Sequence, residues 1–215
     1  MKIAVLISGS GSNLQAFIDA AASGKLSAGI ALVASNRADA FGLQRAAEAG
    51  IATAVVDHKA YEEREDFDRA LLDALAPHSV DLVILAGFMR ILTPVFISSY
   101  SGRLLNIHPS LLPKYTGLHT HQRAIDAGDK WGGASVHFVT EELDGGPPIV
   151  QARVPILNGD NVDALAARVL EKEHRIYPLA AQWFAQGRLS LDERGAILDG
   201  EVLGPGGFRL DDLAP

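Results

Sequence analysis

Asn106 and His108, two apart at the end of an apolar run, are the residues whose types and spacing most directly offer chemistry. In an extended segment such neighbours project to the same face, so the two side chains present together. An amide donor beside an imidazole suits the oxyanion that forms when an amine attacks a carbonyl. Histidine can also supply or receive a proton near neutral pH. Pro109 follows and denies the strand a further ladder bond. The alternative is a histidine satisfied by a backbone partner. Asp144 lies in Glu142-Leu143-Asp144-Gly145-Gly146-Pro147, a turn-forming stretch that could carry a carboxylate into a site. Near His108 it would favour the charged imidazole, but spacing alone does not select Asp144 over Glu141 or Glu142.

Ser8-Gly9-Ser10-Gly11-Ser12-Asn13 is the second candidate. It follows an apolar run and opens a helical pattern. Glycines let the backbone approach a ligand, and free N–H groups at a helix start favour an anion. A dinucleotide site would need a third glycine where Leu14 stands. It would also need an acidic residue near Ala34-Ser35-Asn36-Arg37, where there is none. A terminal phosphate monoester on the backbone of Gly11, Ser12 and Asn13 fits better. A capped tight turn with no ligand is the alternative.

These residues need a frame, and the periodicity predicts one. Apolar runs at Ile3–Ile7, Ile30–Ala34, Thr53–Val56 and Leu82–Ala86 have the composition of strands buried on both faces. Helical patterns at Asn13–Ala22, Ala40–Ala49 and Tyr61–Leu75 alternate with them, and Phe67, Leu71, Leu72 and Leu75 share one face. Gly50 is placed to cap the second helix. This alternation predicts an α/β fold: a Rossmann-like, doubly wound, mostly parallel sheet flanked by helices. A strand at Arg103–Ile107 leads into a Pro-rich loop from Pro109 to His121. Strands at Ala134–Val139 and Ile149–Val154 flank the Thr140–Pro148 turn. A helix from about Val162 to Phe184 follows, with Pro178 as a point of disturbance. The expected organisation is a single domain over 1–215, with halves 1–100 and 101–188 and a peripheral tail, 189–215.

Composition narrows the function classes. The chain has 215 residues, enough for one ordinary core, and 48% of them are hydrophobic, so disorder is not expected. A net charge of -7 disfavours a nucleic-acid duplex or an anionic membrane as partner. The absence of cysteine excludes thiolate nucleophiles, disulfides and Cys-ligated zinc. His119 and His121 have strand-like spacing, but no third ligand stands near them, so no metal is expected. No apolar run is long enough for a membrane span, and the first has no cleavage region. A cytoplasmic location is expected.

Ser8–Asn13, Ala86-Gly87-Phe88-Met89-Arg90-Ile91-Leu92, Asn106–Pro113 and Gly133–Gly146 together resemble the phosphoribosylglycinamide formyltransferase family. The likeness runs from Met1 to about Gly187, and Ser135, Val136, Phe138, Asp144 and Gly146 match the family signature. Thr116 and Pro148 depart from it, standing where the family often has proline and an aliphatic residue. The resemblance implies the formyltransferase fold and formyl transfer from 10-formyltetrahydrofolate to the amine of glycinamide ribonucleotide. It assigns catalysis to Asn106, His108 and Asp144, and the substrate phosphate to Gly11, Ser12 and Asn13. Glu173 would contact the ribose or glycinamide end. The folate pocket would use Arg64, Met89, Arg90, Ile91, Leu92, Asn106, Thr140, Glu141, Glu142, Leu143 and Asp144. Without the resemblance, Met89, Ile91 and Leu92 read as core, Arg64 and Glu173 as solvated helix residues, and His137 as structural. The implied partners are the two small molecules, for a monomer or weak homodimer. A tRNA formyltransferase, a formylfolate hydrolase, an NAD-dependent oxidoreductase and a nucleotide-binding module are the competing functions.

Overall fold

The computed structural model describes residues 1–210; the last five residues of the expected tail, 211–215, lie outside the described residues. The chain forms two compact units, Met1–Asn106 and Ile107–Pro215. The boundary falls inside a strand, six residues beyond the half-boundary expected from sequence.

The first unit contains β1 (Lys2–Ile7), α1 (Ser12–Ala22), β2 (Gly29–Ser35), α2 (Phe41–Glu48), β3 (Thr53–Val55), α3 (Arg64–Leu75), β4 (Leu82–Leu85) and α4 (Pro94–Ser99). The strand β5 (Leu104–His108) runs out of it into the second unit. Every strand pairing in the first unit is parallel, in the order β3-β2-β1-β4-β5. Chain order reverses between β1 and β4, and open α/β sheets bind ligands at that switch, outside the strands' carboxyl ends. The loops that follow β1 and β4 flank that switch. Ile3–Ile7 and Leu82–Leu85 are buried, as strands covered on both faces must be.

Local sequence explains the element ends. Gly50 takes φ +70 directly after the α2 cap, its N–H donates to Ala47 O, and the Ile51 N–H donates to Ala46 O. That pairing terminates the helix as the glycine predicts. The helix expected from Tyr61 begins instead at Arg64. Asp57 accepts the Lys59 N–H and winds His58–Ala60 into a separate short turn, and Tyr61 is extended. The six-residue α4 starts at Pro94, whose missing N–H costs nothing at a first helical position.

The second unit contains α5 (Thr120–Asp126), β6 (Trp131–Phe138), β7 (Pro148–Pro155), α6 (Val162–Ala185), β8 (Leu189–Asp192), β9 (Gly195–Leu198), β10 (Glu201–Val202) and β11 (Phe208–Arg209). Here β6 and β7 are antiparallel and β11 runs parallel to β7. Pro148 occupies the first position of β7, where a missing donor is tolerated, and the register shifts opposite it. α6 packs on β6 and β7 and buries Leu165, Val169, Ile176 and Tyr177. It runs unbroken through Pro178. The tail is more than peripheral. β8, β9 and β10 form an antiparallel sheet that buries Leu189, Ala196, Ile197 and Leu198. No helix among the described residues is long and apolar enough to cross a membrane.

Candidate active site

The loop after β1 is shaped by one close approach. Gly11 caps α1 with φ +71, and a Cβ there would stand 2.7 Å from Gly42 Cα. The Gly42 N–H donates to Gly9 O, and Arg45 donates to Ser10 O, so α2 braces the loop. The N–H groups of Ser12 and Asn13 lie in the first turn of an eleven-residue helix, where the positive end of the dipole adds to their own polarity. Leu14 is fully buried, so the position where a dinucleotide fold needs glycine is part of the core. Asn36, at the end of β2, is also buried and accepts from the Ser8 hydroxyl. Sequence reasoning missed Gly42 and Arg45. Their signal is positional: they sit one helical turn apart on α2, against a loop that has no room for a side chain at Gly11.

The loop after β4 displays an apolar surface on a fixed backbone. Met89 and Ile91 are 70% and 60% exposed, Arg90 is half-buried, and Leu92 is buried at 6%. A ligand would meet the side chains of Met89 and Ile91, but only the main chain of Leu92. Arg64 is exposed, as a solvated residue would be, yet its guanidinium donates to Ile91 O at 2.6 Å.

In the second unit, His108 and Asp144 come together. His108 Nδ1 lies 3.4 Å from Asp144 Oδ2, and both side chains are less than a tenth exposed. The opposite ring nitrogen, Nε2, donates to Tyr115 O at 2.8 Å. Both ring nitrogens therefore face oxygen acceptors. Asp144 Oδ2 also accepts the Gly117 N–H at 2.8 Å. Its other oxygen, Oδ1, faces His137 Nε2 at 3.9 Å. His137 donates through Nδ1 to Phe138 O, and burial pushes its pKa below the ordinary value, which keeps that ring neutral. Sequence reasoning gave His137 no part in the site; the alternation of β6 that points it inward was the available signal.

The local chain is bent hard to make this arrangement. Asp144, Tyr115 and His119 all adopt positive φ, near +52, +58 and +59. Such geometry costs a non-glycine residue about 1–2 kcal/mol. Gly146 makes the Asp144 turn feasible, since a Cβ there would fall 1.8 Å from Phe138 O. A buried hydroxyl fixes the segment after His108. Ser135 Oγ donates to Ser110 O and accepts from the Leu112 N–H and from Gln151 Nε2. Thr120 Oγ1 donates to Pro109 O, and Arg123 donates to Thr116 O, so the departure at Thr116 leaves the loop tied. The Leu112–Pro113 bond is cis.

The other expected residues are placed as follows. Asn106 is half-buried on β5, two residues before His108. Glu173 is buried on α6 at 8% exposure, so it is not a solvated surface acid. Thr140 is half-buried, whereas Glu141, Glu142 and Leu143 are exposed. His119 is exposed and His121 half-buried. No group of three or more metal-ligating side chains occurs among the described residues.

Residues 1–181 match the formyl transferase family model. The chain is 57% identical over 212 residues to the phosphoribosylglycinamide formyltransferase of Escherichia coli strain K12, covering 99% of this chain and 100% of that one. The Haemophilus influenzae protein of the same name is 53% identical, over 96% of this chain and 98% of its own. The solved structure of a phosphoribosylglycinamide formyltransferase from Coxiella burnetii superposes with a TM-score of 0.93 at 49% identity, covering 97% and 98% of the two chains.

Proposed function

The chain belongs to the formyl transferase family, and we propose that it transfers the formyl group of 10-formyltetrahydrofolate to the primary amine of glycinamide ribonucleotide, a step of purine biosynthesis. The observation that carries this reading is the buried His108–Asp144 pair, held at 3.4 Å, in a chain similar end to end to enzymes named for that reaction.

The amine attacks the formyl carbon directly, with no covalent enzyme intermediate. As the carbon becomes tetrahedral, its oxygen takes on negative charge. The Asn106 amide and the His108 imidazolium stabilise that charge. Both His108 N–H groups already point at protein acceptors, so the ring acts through its charge or by trading its bond to Tyr115 O for one to the oxyanion. Asp144 holds the ring from its Nδ1 side. It also helps the proton pass from the amine to the departing folate nitrogen, whose bond to the formyl carbon breaks as the tetrahedral species collapses. General acid–base help of this kind contributes ~10²–10⁴-fold, and an oxyanion donor ~10²–10³-fold.

Binding falls to other elements. The nucleotide phosphate sits on the backbone of Gly11, Ser12 and Asn13, and Glu173 contacts the ribose or glycinamide end. Met89 and Ile91 offer the pterin an apolar wall, with Arg64, Arg90, the Leu92 main chain and Thr140–Asp144 completing the folate pocket. The test is to incubate the protein with 10-formyltetrahydrofolate and follow tetrahydrofolate release. Release that requires glycinamide ribonucleotide is expected. Release without the amine would make the protein a hydrolase, and no release would make it a binding module.

A further inference from the structure

The loop between β4 and α4 is unusual in having its main chain held at alternate residues by three side chains. The Met89 N–H donates to Ser8 Oγ at 2.8 Å, Ile91 O accepts from Arg64 Nη2 at 2.6 Å, and the Thr93 N–H donates to Asp68 Oδ2 at 2.6 Å. Ser8 is itself fixed, because its hydroxyl donates to Asn36 Oδ1 at 2.6 Å. Asn36 in turn meets His58 Nδ1 through its amide nitrogen at 3.1 Å. Phe67, one residue before Asp68, stacks on Phe88 with ring centroids 6.5 Å apart.

Asp68 is the member of this set that least resembles ordinary packing. Its face of α3 otherwise carries Phe67, Leu71 and Leu75. Only 1% of Asp68 is exposed, and burial raises its carboxyl pKa against the lowering effect of its bonds to Thr93. A buried carboxylate is costly unless its oxygens find donors. Here one oxygen takes two, the Thr93 N–H and the Thr93 Oγ1–H, both at 2.6 Å. Those bonds fix the residue at which the loop turns into α4. The first two anchored residues turn their side chains outward: Met89 and Ile91 are exposed, whereas Leu92, next to the third anchor, is buried. Water-facing apolar side chains on a main chain with no freedom to fold them away form a surface prepared in advance for an apolar ligand.

We infer that Asp68 is a positioning residue for the formyl-donor pocket, holding the 89–93 backbone so that Met89 and Ile91 stand ready for the pterin. The inference rests on the folate reading above. It assigns Asp68 no contact with either substrate.

The test is steady-state kinetics of Asp68→Ala, Asp68→Asn and Thr93→Val, with each substrate varied in turn and a thermal melt of each variant. Asp68→Ala is expected to raise KM for 10-formyltetrahydrofolate about tenfold, ~1.4 kcal/mol. Its KM for the ribonucleotide and its kcat at saturating folate should stay near wild type. Asp68→Asn keeps an oxygen able to accept both Thr93 donors and should rescue KM. Thr93→Val keeps the backbone donor alone and should raise KM about threefold, half of that free energy. This variant decides the matter if Asp68→Ala does not fold. A lowered melting temperature with unchanged folate KM would reduce Asp68 to a structural residue and overturn the inference. If wild type showed no saturable dependence on the folate, the functional reading itself would fall instead.

Discussion

The loop after β1 and the loops around His108 solve the same problem in opposite ways. Both hold the backbone in the left-handed region. After β1 the residue there is Gly11, which takes φ +71 without strain. Around His108 one glycine, Gly117, takes it at φ +76, but Tyr115, His119 and Asp144 also adopt it, against their own Cβ atoms. The difference follows from the tasks proposed for the two regions. A phosphate is held by main-chain N–H groups, so a side chain is unnecessary and, beside Gly42, has no room. Proton and charge chemistry needs a carboxylate at the turn itself, so glycine is unavailable and strain is accepted. Strained backbone gathers where the surrounding structure fixes it for use.

Breaking the relaxed loop should cost most in stability. Gly11→Ala combines an alanine at positive φ, about 1–2 kcal/mol, with overpacking against Gly42, about 1–3 kcal/mol. Denaturant melts are expected to show roughly that sum. KM for the ribonucleotide should rise and KM for the folate stay put. Ser135→Ala attacks the scaffold of the strained region. It leaves the Leu112 N–H and the Ser110 carbonyl without their buried hydroxyl. A loss of about 1–3 kcal/mol is expected, read by chemical denaturation.

The strained region should also be the acid-sensitive one. Burial lowers the pKa of His137, and desolvation lowers that of half-buried His121. In the unfolded chain both take up protons as pH falls below about 6.5, whereas the folded state resists. Their contribution to stability is therefore present above that pH and lost as pH falls toward the depressed folded values. The expected slope is up to about 1.4 kcal/mol per pH unit for each group. His137→Gln should flatten its share in melts between neutral pH and pH ~5. The smallest effect sharpens the contrast. His119 is strained and exposed and makes no side-chain capping bond at the start of α5. His119→Gly should gain about 0.5–1 kcal/mol at unchanged turnover, because φ near +59 suits glycine.

Much of the frame was legible from sequence because it depends on patterns that survive in one dimension. Val/Ile/Leu runs separated by helical periodicity gave the parallel strands of the first unit, and Gly50 gave a helix end. The short helices α4 and α5 were not legible, since six or seven residues show too little periodicity. The C-terminal sheet also escaped notice, because strands of two to four residues are too short to show an alternation. Within the site, alternation put Asn106 and His108 on one face. The meeting of His108 with Asp144, 36 positions further on, came only from family resemblance. Asp68 was hidden for another reason: its charge on an apolar face carries no sequence signature of its Thr93 partners.

The central claim is that Asp144 is held in a strained turn for its effect on chemistry rather than on binding. Asn tolerates positive φ and keeps a side-chain oxygen for the Gly117 N–H, so Asp144→Asn alters the charge with little change of shape. The decisive measurement is kcat of this variant together with KM for both substrates. A fall in kcat of ~10²–10⁴-fold, with both KM values near wild type, is predicted. Turnover close to wild type, or a loss confined to KM, would contradict the account.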